Sequence, residues 1–395
     1  MSFDSARWAW ASVDLDAIAH NVARVAQHVS PADVWAVVKA NGYGHGAVAV
    51  SAAALDAGAA GLCVALTDEG IALRQGGIEA SVLVLSEQPP SHAAALIEHR
   101  LTPTVYTPAG VSALVNAGAD GLGVHVKVDT GMQRVGAPPG ALDAVLGAID
   151  GAGSALRVAG VFTHLPVADE PDDKFTARQL QHFDHIVAGL GLDDDVLVHA
   201  ANSAGALAHA DAGRSLVRLG IAMYGVSPGA GVDDRCGDLT PALSLHSRVS
   251  FVKRVESGSR ISYGLRHRFD RETTVATLPI GYADGVPRRL FDVGGEVLLG
   301  GRRRPIVGVV TMDQLMVDCG DDPVCVGDEA VLIGTQGDEI IRAEEWADAL
   351  GTIGYEIVCG ISARVPRRYH PSPPAAPGTQ VPPAAQPSEQ DERRH

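Results

Sequence analysis

Residues 34–46 read VWAVVKANGYGHG, an apolar, β-branched run that ends in Lys39 and passes at once into a loop with glycines at 42, 44 and 46. Short runs of this kind recur at 34–39, 61–66, 81–85, 102–106, 123–128, 156–163, 196–199 and 216–219, and Ala/Leu-rich stretches such as 47–57, 108–117 and 174–190 separate them. Each of these stretches is long enough for one helix. Strands that alternate with helices pair in parallel, and eight such units close into a (β/α)8 barrel. The catalytic face of that barrel is the carboxyl end of its strands, which is where Lys39 emerges. A half-desolvated amine there loses proton affinity and becomes a nucleophile toward carbonyls. A lysine snorkelling out of a strand end beside an ordinary Gly-rich turn fits the same residues.

After about residue 235 the pattern changes to glycine-punctuated strands, with little helical periodicity until 342–349. The expected fold class is therefore α/β, a barrel over 14–234 followed by a mostly β domain over 235–370. Residues 1–13 contain a strand pattern that can pair with the second domain, and Asp14 is suited to cap a helix starting near Leu15. From 371 to 395 the chain carries seven prolines and no aromatic residue, a composition expected to stay disordered.

Bulk composition narrows the function classes. With 395 residues, 46% of them hydrophobic and 20% charged, the chain has material for a barrel and a smaller partner domain. A net charge of −16 disfavours nucleic acid and anionic lipid as partners. Five scattered cysteines with no C-x-x-C spacing suggest neither zinc nor redox chemistry, so no metal is expected. The first residues lack a basic region followed by an apolar core, and no run is apolar enough for a membrane span, so a cytoplasmic protein is expected. Only four of the 31 basic residues are lysines, which sets apart the two that lie in apolar runs, Lys39 and Lys127.

Three further segments carry candidate chemistry. In GVHVKVDTGMQRVG, 123–136, period-2 alternation puts His125, Lys127 and Asp129 on one face of a strand, where buried charges need partners such as Arg134. A structural salt-bridge cluster fits equally. The loops NSA, 202–204, and RLGIAMYG, 218–225, follow the seventh and eighth strands, the usual phosphate seat of such barrels. In the second domain SYGLRHRF, 262–269, PIGYADGVPRR, 279–289, PIVGVVTMDQLMVD, 305–318, and GYEIVCGISARVPR, 354–367, hold Tyr263, Tyr282 and Tyr355, three of seven tyrosines. Aromatic residues in strand-rich regions are usually core.

Taken together and in this order, AVVKANGYGHG, KVDTGMQRVG, RLGIAMYG, MDQLMVD and GYEIVCGISARVPR closely resemble the bacterial alanine racemases over about residues 8–369. The resemblance implies pyridoxal 5'-phosphate as cofactor, carried by Lys39, with Tyr43, Ser203, Gly220, Ile221 and Tyr355 at its phosphate and Arg218 at its ring nitrogen. It implies two acid/base groups on opposite faces of the substrate, Lys39 for D-alanine and Tyr263 for L-alanine, with His164 beside Arg218 tuning the phenol. It further implies a carbamylated Lys127 paired with Arg134. Arg134 and the Met312 amide would hold the substrate carboxylate, Asp313 would complete the site, and Tyr282 would line the entrance. Tyr263, Met312 and Asp313 would come from the second subunit of a homodimer.

Gln133 replaces a frequent glycine, and Val309 stands where many relatives have an arginine at the entrance; Arg288 matches another entrance position. A serine or broad-specificity racemase is the nearest alternative expectation. A barrel-type pyridoxal-phosphate decarboxylase and a non-catalytic carrier of the cofactor are more distant ones. The implied product, D-alanine, is a peptidoglycan precursor.

Overall fold

The structure is a computed structural model that describes residues 7–209 and 212–371. The expectation for 371–395 therefore lies, beyond Pro371, outside the described residues. Strand β1 (Ala9–Asp14) leads directly into the helix Leu15–Val29, whose amino end Asp14 caps by accepting a hydrogen bond from Ala17 N at 3.0 Å. Eight parallel strands follow: β2 (Asp33–Val37), β3 (Gly61–Val64), β4 (Val82–Val84), β5 (Thr104–Val105), β6 (Leu122–Lys127), β7 (Leu156–Phe162), β8 (Leu197–His199) and β9 (Leu216–Leu219). They form the arcs β4-β3-β2-β9 and β5-β6-β7-β8. Backbone bonds join the arcs on both sides, Thr102 N to Val82 O at 2.8 Å and Ser215 N to Val198 O at 2.9 Å, so the barrel is closed.

Both faces of these strands are covered, which explains why they read as continuous apolar runs rather than alternating ones. Val34, Ala36, Leu62, Val64, Leu83, Val126, Val161 and Leu219 are all buried. Each fully buried Val or Leu contributes about 1.5–3 kcal/mol relative to exposure. The helices between strands include Ala47–Asp56, Pro108–Asn116 and Lys174–Ala188.

The second region is built from β10 (Leu243–Arg248), β11 (Phe251–Val255), β12 (Arg260–Ile261), β13 (His267–Arg268), β14 (Thr273–Leu278), β15 (Glu296–Leu299), β16 (Arg303–Pro305), β17 (Leu315–Gly320), β18 (Glu329–Gln336), β19 (Glu339–Ile341) and β20 (Arg367–His370). Its main sheet runs β16-β15-β18-β10-β1-β20, so the first strand of the chain lies between strands from its far end. Besides the helix Ala343–Leu350 there is a second, Gly354–Gly360, which the sequence reading did not assign. Glycines at both of its ends and β-branched Ile357 and Val358 inside it give it little intrinsic helix signal; burial of those two side chains holds it.

Candidate active site

Lys39 lies just past β2, and the chain then does something few sequences can. Ala40, Asn41, Gly42 and Tyr43 all have positive φ, between 49° and 62°, making one left-handed turn. Each non-glycine residue in that region costs about 1–2 kcal/mol, so the turn needs external support. Asn41 Oδ1 accepts from Ala47 N at 3.0 Å, and Glu69 Oε1 accepts from Ala40 N at 2.6 Å. Buried His45 sits 2.9 Å by Nδ1 from the Tyr43 carbonyl, so that nitrogen carries the proton and donates it. Burial pushes the imidazole down to about 4 and keeps it neutral. Gly44 is obligatory: a Cβ there would meet the Val358 carbonyl oxygen at 2.4 Å.

The turn delivers the Lys39 amine and the Tyr43 ring to one cavity of about 540 Å³, with the amine 6.0 Å from the ring centroid. Lys127, Arg134, His164 and Arg218 line one part of it. Ser203, Gly220, Ile221 and Tyr355 line another, with Tyr43. A second cleft, of about 410 Å³ between the barrel and the β domain, holds no lysine and lies apart from these groups. Among the described residues no cluster of three or more His, Cys, Asp or Glu could hold a metal ion.

Ser203 opens the short helix Ser203–Ala208, and its Oγ accepts from Gly220 N at 2.9 Å and Ala222 N at 3.3 Å. At Gly220 a Cβ would come within 2.9 Å of the Tyr43 hydroxyl and 3.6 Å of Ser203 Oγ. The missing side chain thus leaves a small cradle edged by two hydroxyls and backbone amides, a chemistry suited to an anion.

At the other side, Arg218 is buried and makes four contacts. Nη1 donates to His199 Nδ1 at 2.7 Å, and Nη2 reaches Thr163 O and Ala200 O at 2.9 Å each and His164 Nδ1 at 3.2 Å. Burial lowers its proton affinity to about 10, so it stays charged at neutral pH. Behind it His199 contacts His125 Nδ1 at 3.0 Å, and both imidazoles are held neutral by burial and then by the Arg218 charge. The sequence reading marked His125 but missed His199; its place at the carboxyl end of β8 was the available signal.

Lys127 lies 5.5 Å over the Phe162 ring, and burial followed by the charges of Arg218 and Arg134 lowers it to about 8. Asp129 departs from the expected shared interior cluster. Its Oδ1 accepts from Gly131 N and Gln133 N, both at 3.0 Å, and so closes its own turn instead of pairing with Lys127. Burial, then Arg134, lowers Lys39, which makes its amine a better nucleophile near neutrality.

Tyr263, Tyr282, Met312 and Asp313 are not part of this cavity within one chain. Tyr263 is 73%, Met312 51% and Tyr282 41% exposed. Tyr282, Met312 and Asp313 are nevertheless tied together. Tyr282 N donates to Thr311 O and Ala283 N to Met312 O, both at 3.0 Å. Asp284, wholly buried, binds Arg7 at 2.5 Å and Arg364 at 3.3 Å, and Arg364 reaches Asp313 at 2.7 Å. Val309 is buried and accepts from Ser262 Oγ at 2.7 Å through its carbonyl, so its side chain packs inside while Arg288 is exposed.

Comparison with known proteins adds to this geometry. Residues 13–228 match the alanine racemase N-terminal domain, and residues 242–369 match the alanine racemase C-terminal domain. The alanine racemase of Symbiobacterium thermophilum is 48% identical over 380 residues, covering 93% of this chain and 99% of that protein. The crystal structure of alanine racemase from Bacillus anthracis with bound L-Ala-P superposes with a TM-score of 0.86 at 40% identity, over 92% of this chain and 95% of that one. A histidine racemase from Leuconostoc mesenteroides superposes with a TM-score of 0.85 at 27% identity, over 92% and 98%.

Proposed function

The chain belongs to the alanine racemase family, and on that premise we propose that it interconverts L- and D-alanine with pyridoxal 5'-phosphate bound in the Lys39 cavity. The observation that carries this reading is the juxtaposition, in one cavity, of a partly desolvated amine, a charged buried guanidinium and an anion-sized cradle at Gly220. The residues fit the cofactor: Lys39 would hold its aldehyde carbon, Tyr43, Ser203, Gly220, Ile221 and Tyr355 its phosphate, and Arg218 its ring nitrogen. When bound, the cofactor supplies a conjugated ring that makes the α-proton of an attached amino acid removable.

The chain's own residues then set the proton chemistry. Arg218 stays protonated and has only donors, so it gives no proton to the ring nitrogen and limits how much charge the ring draws off. Lys39 takes and returns the α-proton on one face. Racemisation needs a second acid/base group on the other face, and the Tyr263 phenol does not line the cavity within one chain. We assign it to Tyr263 of the partner subunit, with Tyr282, Met312 and Asp313 of the same surface closing the pocket and the Met312 amide binding the substrate carboxylate. Their exposure and mutual tethering support a homodimer with shared sites. Because His164 Nδ1 accepts from Arg218, its proton sits on Nε2, available to stabilise a phenolate.

Lys127 is proposed to carry a carbamate. Its amine, lowered to about 8, is partly neutral at physiological pH and can attack carbon dioxide, forming an N–C bond and releasing one proton. The resulting anion pairs with Arg134. Arg134, held by that anion, would bind the substrate carboxylate.

No helix among the described residues is long and apolar enough to cross a membrane, and the cysteines are all free. From the family we propose a cytoplasmic enzyme that supplies D-alanine for peptidoglycan. Serine is the second reading, because shape alone rejects one added hydroxyl poorly, and the histidine racemase neighbour has this fold with another amino acid in its name. The test is incubation with L-alanine, L-serine and L-histidine in D2O, following enantiomers and α-deuteration. Fast exchange and racemisation of alanine alone are expected; no exchange with alanine ends the reading.

A further inference from the structure

Glu69 does not line the cavity, yet its carboxylate bonds to the residue next to Lys39. It stands in the first turn of the helix Thr67–Gln75 after β3. A glutamate there usually spends its carboxylate on the amides that open its own helix. Here one oxygen does so: Oε2 accepts from Ala65 N at 2.8 Å and Leu66 N at 3.1 Å. The other crosses to the neighbouring strand's loop, where Oε1 accepts from Ala40 N at 2.6 Å, the shortest support of the left-handed turn. Charge-assisted bonds of this kind are about twice as strong as neutral ones. One carboxylate therefore clamps three amides from the loops of two adjacent strands.

We propose that Glu69 is the positioning residue for Lys39, holding shut the turn that presents its amine and fixing a negative charge beside it. This rests on the reading of Lys39 as the amine that holds the cofactor and moves a proton. The charges acting on that amine are opposed: Arg134 disfavours its protonated form, and Glu69 favours it, together with Cys359 and Cys63 to the extent that they ionise. Lys127 and His164 face the same cavity. Without Glu69 the amine would keep the Arg134 cation near it and lose a fixed carboxylate, and would accept a proton less readily.

The test uses the full chain stripped of cofactor, so it does not depend on racemase activity. The four lysines, at 39, 127, 174 and 253, are reductively methylated with 13C-formaldehyde and titrated by NMR, with Lys39→Arg assigning one resonance. Glu69→Gln keeps the shape and removes the charge; the Lys39 midpoint is expected to fall by about 0.5–1 pH unit. The dissociation constant for pyridoxal 5'-phosphate should rise about tenfold, the worth of one charge-assisted hydrogen bond. A midpoint equal to that of the unsubstituted protein overturns the proposal. Should Glu69→Gln not fold, Glu69→Asp keeps the charge but retracts it by one methylene; the midpoint should hold while the dissociation constant rises, and an unchanged constant overturns the proposal.

Discussion

Arg218 donates from Nη1 to Nδ1 of His199 across 2.7 Å inside the barrel, and that bond settles the protonation of everything behind it. A guanidinium offers only donors, so His199 keeps its proton on Nε2 and passes the bond on to Nδ1 of His125. The side chain assigned to the ring nitrogen is thus aimed by neutral imidazoles rather than by a carboxylate. Phe162 adds to this, stacked on His199 with centroids 4.7 Å apart and lying 5.2 Å from the Arg218 guanidinium.

His199→Leu should therefore leave a buried guanidinium N–H unpaired. Unfolding in urea is expected to show a loss of about 1–3 kcal/mol, the penalty for one unsatisfied buried donor. Stability equal to that of the unsubstituted protein would mean the bond does no orienting.

Three buried histidines and His164, half-buried at the cavity wall, give the fold an acid limit. Burial holds His45 and His125 near 4 and His164 and His199 well below their ordinary value of 6.5. The unfolded chain then binds protons below 6.5 that the native chain does not, so stability rises with pH through the window from about 4 to 6.5. The slope is about 1.4 kcal/mol per pH unit for each such group. Denaturant unfolding at several pH values should show this slope, and His125→Gln should lessen it. A profile flat between pH 4.5 and 6.5 contradicts the assignment.

The barrel was legible because its strands are buried on both faces and its helices are long enough to show as separate stretches. Lys39 and Lys127 stand out as charges within apolar runs, whereas Arg218, which lines the same cavity, is reached only through the family resemblance. Other parts depend on contacts that sequence spacing does not encode. The left-handed turn at Ala40–Tyr43 is held by Glu69, 29 positions away from Ala40, and Asp129 closes its own turn where alternation pointed it inward. The pairing of β1 with β20 joins chain ends, and the helix Gly354–Gly360 owes its existence to burial.

Asp284→Asn removes the charge that two arginines share and loosens the link among Tyr282, Met312 and Asp313. Arg7 and Arg364 keep side-chain exposures of 27% and 47%, so the loss is one of positioning more than of stability. If that surface closes the substrate pocket, the Michaelis constant for alanine should rise about tenfold with a smaller change in kcat, since the reacting groups are untouched. A KM equal to that of the unsubstituted enzyme contradicts this placement.

A carbamate on Lys127 should give a 13C resonance after equilibration with labelled bicarbonate. It should be absent in Lys127→Ala and lost on acidification, as protonation of the amine reverses its formation. A Lys127→Ala protein with the same resonance and undiminished activity removes the residue from the site.

The most direct measurement concerns the site shared between chains. Lys39→Ala should lose both the bound chromophore and turnover, whereas Tyr263→Phe should keep the chromophore and lose about 10²–10⁴ in rate. Mixed and allowed to exchange subunits, the two inactive proteins should recover about a quarter of normal activity, since half the dimers are hybrids with one intact site in two. If the mixture stays inactive although hybrid dimers form, Lys39 and Tyr263 do not meet across the two chains.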